Sequence, residues 1–194
     1  MNELAHKKEI ILQREMSFAN AIGASVIEKP KVSVWMVFIP ILFLYFIYRM
    51  QRYKSDRMKF GEEFMITRRR AMDAAFESAA SEGRPDIDGV VHNLSLPEPL
   101  HKPYVAWVKT LADYYLELLA AEAEGGGFES IVRAAYRNRS NYLLTLNRLS
   151  TVEKEFYTAL KPHLAATEDA ADIITRIETQ SRELRRELAD HIFR

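Results

Sequence analysis

The sequence predicts an all-α protein in which a single transmembrane helix is joined to a cytoplasmic bundle of four to five helices. Three observations lead to this fold class. An uncharged apolar run occupies residues 32–48, several later segments repeat apolar residues at helical spacing, and the 194 residues contain no strand-like alternation of apolar and polar positions.

Composition narrows the classes of protein before any element is considered. The chain has no cysteine, which excludes a disulfide scaffold, a thiolate metal site and a cysteine nucleophile. Its 27 basic residues balance its 27 acidic ones. A neutral chain has no overall attraction to polyanions, so nucleic acid is not expected as a partner. No motif in the sequence predicts a cofactor, a metal site or a catalytic group.

Residues 1–31 are predicted to form an amphipathic segment. Leu4, Ile11, Phe18 and Ile22 recur at roughly helical spacing among charged residues. An amphipathic helix before an apolar run is expected to lie on the membrane surface or to dock on a partner.

Residues 32–50 are predicted to form the transmembrane helix. At about 1.5 Å per residue the 17 uncharged residues span about 25 Å, close to the roughly 30 Å of a hydrocarbon core. Pro40 is expected to kink this helix near its middle. Aromatic and basic side chains at its two ends suit the membrane interfaces and complete the predicted anchor: Lys31, Trp35, Tyr45, Tyr48 and Arg49. Membrane lipid is therefore an expected partner.

The distribution of basic residues predicts the orientation of this helix. Residues 49–70 contain eight lysines and arginines, whereas residues 11–31 contain three. Because the more basic flank stays inside, we expect a single-pass membrane protein with its C-terminal domain in the cytoplasm.

Residues 51–82 are predicted to continue as a helix from the membrane, and Gly83-Arg84-Pro85 is predicted to end it. A proline-rich connection follows at residues 83–103, which carry four of the seven prolines. Irregular segments of this length are uncommon within a compact domain and often have a functional role.

Residues 104–194 are predicted to supply the remainder of the helical bundle. Helices are expected at 104–124 and 128–149, with the three glycines at 125–127 as the stop between them. A capping box at Ser150 and Glu153 predicts the start of a third helix through about residue 164, and a last helix is expected from Thr167. Aromatic residues at helical spacing are predicted to form the core: Trp107, Tyr114, Tyr115, Tyr136, Tyr142, Phe156 and Tyr157.

One basic face is the best candidate site. Arg133, Arg137, Asn141 and Arg148 share a side of a predicted helix, and residues 130–149 contain no acidic residue. Such a face is expected to contact an acidic partner or a phosphate group. The alternative is that these cations neutralise the acidic segment 71–128 within the domain.

These features predict a single-pass, membrane-anchored adaptor or accessory subunit of a larger membrane-associated complex, with a protein partner or a second copy of the chain bound to its helical domain. The alternative is a membrane-tethered enzyme or small-ligand sensor with a pocket between the bundle and the 83–103 connection. Substitutions at Asp88, His92 or His101 would then abolish activity.

Overall fold

The computed structural model describes residues 3–27, 40–81, 83–92, 96–164 and 168–194. Within these ranges the chain is all-helical and contains no strand. The α-helices are α1 (Glu3–Val26), α2 (Pro40–Ser81), α3 (Ile87–His92), α4 (Glu98–Ala120), α5 (Phe128–Tyr136), α6 (Arg139–Leu160) and α7 (Glu168–Ile192). A 3-10 turn at Lys161–Leu164 follows α6.

Five long helices close into one bundle around a shared core. In order around the bundle, α1 packs on α2, α2 on α4, α4 on α6, α6 on α7, and α7 returns to α1. The short helices α3 and α5 pack at the sides of α4. The predicted all-α class and the helical bundle are thus confirmed.

Helix α4 lies at the centre of this bundle and contributes the largest buried aromatic residues. Trp107, Tyr114 and Tyr115 face its neighbours, and Trp107 stacks on Phe156 of α6 with ring centroids 5.2 Å apart. The aromatic core predicted from the sequence is confirmed, because each aromatic residue predicted for it is buried. Pro99 lies in the first turn of α4, where the missing N–H costs no helical hydrogen bond.

The N-terminal helix α1 docks on the chain's own bundle. Ile11, Ala19 and Ile22 have no exposed surface, and the ring of Phe18 lies 6.2 Å from that of Phe64 on α2. The amphipathic pattern predicted an ordered helix correctly. Its apolar face is covered from within the chain, however, rather than by a membrane or a partner.

The transmembrane prediction is contradicted. Among the residues that the structure describes, none of the helices has the length and apolar character of a membrane span. Residues 28–39, which include the first part of the predicted span, lie outside the described residues, and helix α2 is described from Pro40 onwards. The predicted localisation as a single-pass membrane protein with a cytoplasmic C-terminal domain is therefore wrong.

The residues predicted to anchor that span fall into two groups. Lys31 and Trp35 lie outside the described residues. Pro40, Tyr45, Tyr48 and Arg49 belong to the backbone of α2, which runs on without a break to Ser81. Helix α2 ends at Ser81, and the Gly83 N–H donates to the Ser78 carbonyl 3.1 Å away.

The prediction of one helix over residues 128–149 is wrong. The chain breaks at Arg137, which has a φ of 62°, and Asn138 then caps α6 by accepting a hydrogen bond from the Asn141 N–H at 2.9 Å. The predicted helix start at Ser150 is also wrong. Ser150 and Glu153 lie inside α6, where Glu153 is buried and Ser150 is half-buried, so neither caps a helix.

Candidate functional site

The predicted basic residues lie along α5, the break and the exposed side of α6. Arg137, Asn141 and Arg148 are exposed; Asn141 and Arg148 lie two turns apart on α6, and Arg137 lies in the break that precedes this helix. Arg133 lies one turn earlier on α5 and is also exposed. All four sequence-predicted residues are therefore exposed, on two helices and the break between them.

Two of these four side chains have internal partners. The Arg133 Nε donates to the carbonyl oxygen of Ile192 at 2.8 Å, which satisfies the C-terminal end of α7. The Asn141 Nδ2 donates to the Tyr136 carbonyl at 3.1 Å and secures the α5–α6 break. Both side chains therefore stabilise the fold, whether or not they also contact a partner.

The other two basic residues have no such partner. In the described part of the chain, no carboxylate pairs with Arg137 or Arg148. Between them along the chain lies Leu144, whose side chain is 72% exposed. We call Arg137, Asn141, Leu144 and Arg148 the α6 stripe. It combines an exposed apolar residue with two uncompensated cations.

A buried charge network at the centre of the bundle was not predicted. The Arg68 guanidinium of α2 donates from Nε to Glu15 of α1 at 3.0 Å and from Nη2 to Glu153 of α6 at 2.9 Å. The Arg185 Nη1 of α7 donates to the other Glu153 oxygen at 2.6 Å. The Trp107 Nε1 of α4 donates to Glu153 at 3.2 Å, so each of the five long helices supplies one member.

The surroundings of this network favour the charged forms of its members. Burial on its own would raise the pKa of Glu153, but Arg185 and Arg68 outweigh it and lower that pKa below its usual range. Burial disfavours the charged form of Arg185 as well, yet Glu153 raises its pKa further above neutrality. Two guanidinium groups and two carboxylates therefore balance inside the core, with Arg68 also lying 3.8 Å above the Phe64 ring.

A small, partly open cavity adjoins the network. Its lining includes Glu15, Arg185, Tyr114 and Tyr142, and its volume is about 30 Å³. The two tyrosine hydroxyls lie 3.4 Å apart, and burial raises the pKa of Tyr142 to about 12, so this hydroxyl stays protonated at neutral pH. A cavity of this size matches a water molecule rather than a metabolite.

The pocket predicted beside the 83–103 connection corresponds to an open groove between α2 and α3. Its lining includes Arg70, Asp73, Glu77 and Asp86, and its volume is about 330 Å³. The side chains singled out from the sequence, Asp88, His92 and His101, do not line it. In the described ranges, no group of three histidines or carboxylates is placed to hold a metal ion.

Comparison of the chain with protein-family models, with curated proteins and with solved structures finds no match.

The sequence carried a usable signal for the network. Arg68 lies four residues after Phe64 and four before Met72, both on the apolar side of α2. A single arginine within an apolar stripe indicates a buried, paired cation rather than a solvated one. The Arg68-Arg69-Arg70 cluster concealed this, because its other two members are exposed.

Proposed function

We propose that this chain is an adaptor or accessory subunit that binds an acidic segment of a protein partner through the α6 stripe. The observation that supports this function is the 72% exposed Leu144 placed between Arg137 and Arg148, neither of which pairs with a carboxylate of the described residues. A lone exposed leucine is common on protein surfaces. An exposed leucine flanked by unpaired arginines, in contrast, has the composition of an interface with an apolar centre and a charged rim.

Charge complementarity defines the chemistry of the partner segment. An acidic segment satisfies Arg137 and Arg148, and an apolar side chain of that segment covers Leu144. The two arginines are expected to speed association and set the register, whereas Leu144 supplies the desolvated contact. This interaction needs no membrane anchor and no cofactor.

Site-specific photo-cross-linking in native cells tests the proposal. A photoreactive amino acid replaces Leu144 in the full-length chain, and a matched chain carries it at Lys102, an exposed position on α4. We expect a protein to cross-link at position 144 but not at position 102. Mass spectrometry should map the cross-link to an acidic segment, and Arg148→Glu should abolish it.

Three outcomes would overturn the proposal. They are equal cross-linking at positions 144 and 102, a cross-link that survives Arg148→Glu, and a cross-link only to a second copy of this chain. The last result would identify the stripe as a homo-oligomer interface. Circular dichroism of each variant establishes that the fold is retained.

A further inference from the structure

A second basic feature lies between α6 and α7, on the side of α6 away from the stripe. It is a groove of about 290 Å³ whose lining includes Arg139, Ser150, Arg182, Arg185 and Arg186. Four arginines line it, and no acidic residue does. The volume is at the lower end of the range for small-ligand sites.

Two of the four arginines are already neutralised. Arg139 Nε pairs with Asp190 at 2.5 Å, and Arg185 Nη1 pairs with Glu153 at 2.6 Å. Arg182 and Arg186, by contrast, pair with no carboxylate in the part of the chain that the structure describes. The groove therefore retains two uncompensated positive charges.

These two charges lie one helical turn apart on α7, at positions i and i+4. Side chains at this spacing are neighbours, and two like charges there destabilise a helix. An anion held between the two guanidinium groups converts that repulsion into attraction.

The rear of the groove is held in place by buried groups. Arg185 is buried, and its Nη1 donates to Ser150 Oγ at 2.9 Å as well as to Glu153. Because Ser150 Oγ accepts this bond, its own hydroxyl hydrogen is available to a ligand in the groove. The groove lining thus combines a neutral hydroxyl donor, Ser150, with the exposed guanidinium groups of Arg182 and Arg186.

We propose that this groove binds the phosphoryl group of a small soluble ligand. A phosphate monoester carries close to two negative charges at neutral pH, which matches the two uncompensated arginines. Arginine forks also bind tetrahedral phosphate oxygens bidentately. This site is separate from the α6 stripe and does not depend on the proposed partner.

Isothermal titration calorimetry of the full-length chain tests the site directly. The probes are inorganic phosphate and pyrophosphate, with succinate as a dicarboxylate of similar charge and sodium chloride at matched ionic strength. Arg182→Gln and Arg186→Gln remove the unpaired cations, and Arg69→Gln, an exposed arginine of α2, is the matched control.

We expect saturable binding of phosphate or pyrophosphate, weakened about tenfold or more by each groove variant and unchanged in the control. Arg182→Lys keeps the charge but loses the fork, so it should recover only part of the affinity. The proposal is overturned by any of three results: no binding beyond the chloride background, equal weakening in Arg69→Gln, or succinate binding as tightly as phosphate.

Discussion

Arg68 and Glu153 are 85 residues apart in the chain, yet Arg68 Nη2 donates to Glu153 Oε1 at 2.9 Å in the interior of the bundle. Their side chains are 1% and 5% exposed. Neither charge is tolerable alone at such burial, because desolvation of an unpaired ion costs several kcal/mol. Arg185 and Glu15 complete the balance, so the helices that carry these four groups must assemble together.

This dependence gives the network a structural role. A purely apolar core tolerates sliding of one helix along another, whereas each bond of the network fixes the register of two helices. Glu153 alone receives donors from α2, α4 and α7. We therefore expect the network to define a single packing arrangement, in addition to any net stabilisation.

Glu153→Gln is expected to destabilise the fold by about 3–5 kcal/mol at pH 7, since it leaves Arg68 and Arg185 buried without their shared carboxylate. The pH dependence should change as well. The folded-state pKa of Glu153 is lowered, so its contribution is complete above the unfolded pKa of about 4.3 and is lost as the pH falls through the folded value. Urea unfolding from pH 7 to pH 3 measures both effects.

In this series the wild-type chain should lose stability steadily below about pH 5, and the variant should lose less over the same interval. Glu155→Gln, an exposed position on α6, is the control. Parallel pH profiles for the wild type and Glu153→Gln would contradict the assignment.

Ile11→Ala is expected to destabilise the protein by about 2–4 kcal/mol, because Ile11 has no exposed surface where α1 packs on the bundle. Gln13→Ala, on the exposed side of the same helix, should change stability by less than about 0.5 kcal/mol. Chemical denaturation of the full-length variants measures the difference. Equal values for the two variants would show that α1 does not dock as described.

Much of this fold could be predicted because helical spacing of apolar residues reports directly on burial. The pattern identified α1, the centre of α4 and the aromatic core, and Gly83 marked the end of α2. It did not distinguish a membrane from a protein neighbour, because both cover an apolar face. For α1 the neighbour is the chain's own bundle.

The candidate sites were less predictable, because the same local motif serves different purposes. Ser150 and Glu153 have the spacing of a capping box, but both lie within α6 and accept hydrogen bonds from Arg185 of α7. The α6–α7 groove depends on the lateral packing of two helices, which no local pattern encodes. Arg133, Arg137, Asn141 and Arg148 are all exposed, but the break at Arg137 divides them between two helices, which the helical pattern did not indicate.

Arg137→Gly is expected to stabilise the fold by about 0.5–1 kcal/mol. Arg137 has a φ of 62°, and the Asn138 N–H donates to the Tyr136 carbonyl at 2.7 Å across a tight turn. A side chain in this conformation costs about 1–2 kcal/mol, which exceeds the extra entropy of about 0.5–1 kcal/mol that glycine loses on folding.

Thermal unfolding should therefore show a rise of about 2 °C for Arg137→Gly. Arg137→Ala removes the same guanidinium but keeps the strained conformation, so it should show no rise. Both variants lack the cation of the α6 stripe and should weaken partner binding alike. If Arg137→Ala also stabilised the fold, the backbone conformation of residue 137 would not be the source of the strain.

Arg133→Gln and Arg148→Gln should separate the structural from the exposed members of the predicted basic face. Arg133 donates to the Ile192 carbonyl at 2.8 Å, so its loss removes a charged hydrogen-bond donor from the C-terminal end of α7 and should cost about 1 kcal/mol. Arg148 has no internal partner in the described residues, so Arg148→Gln should stay within about 0.5 kcal/mol of the wild type.

Hydrogen exchange shows which part of the protein is destabilised in Arg133→Gln. Amide protection in the last turn of α7 should fall in Arg133→Gln and persist in Arg148→Gln, because only the former removes a bond to that turn. Unchanged protection in both variants would mean that Arg133 does not hold α7 in solution. Arg133 would then be as free for an external ligand as Arg148, and the acidic partner would have a third cation to contact.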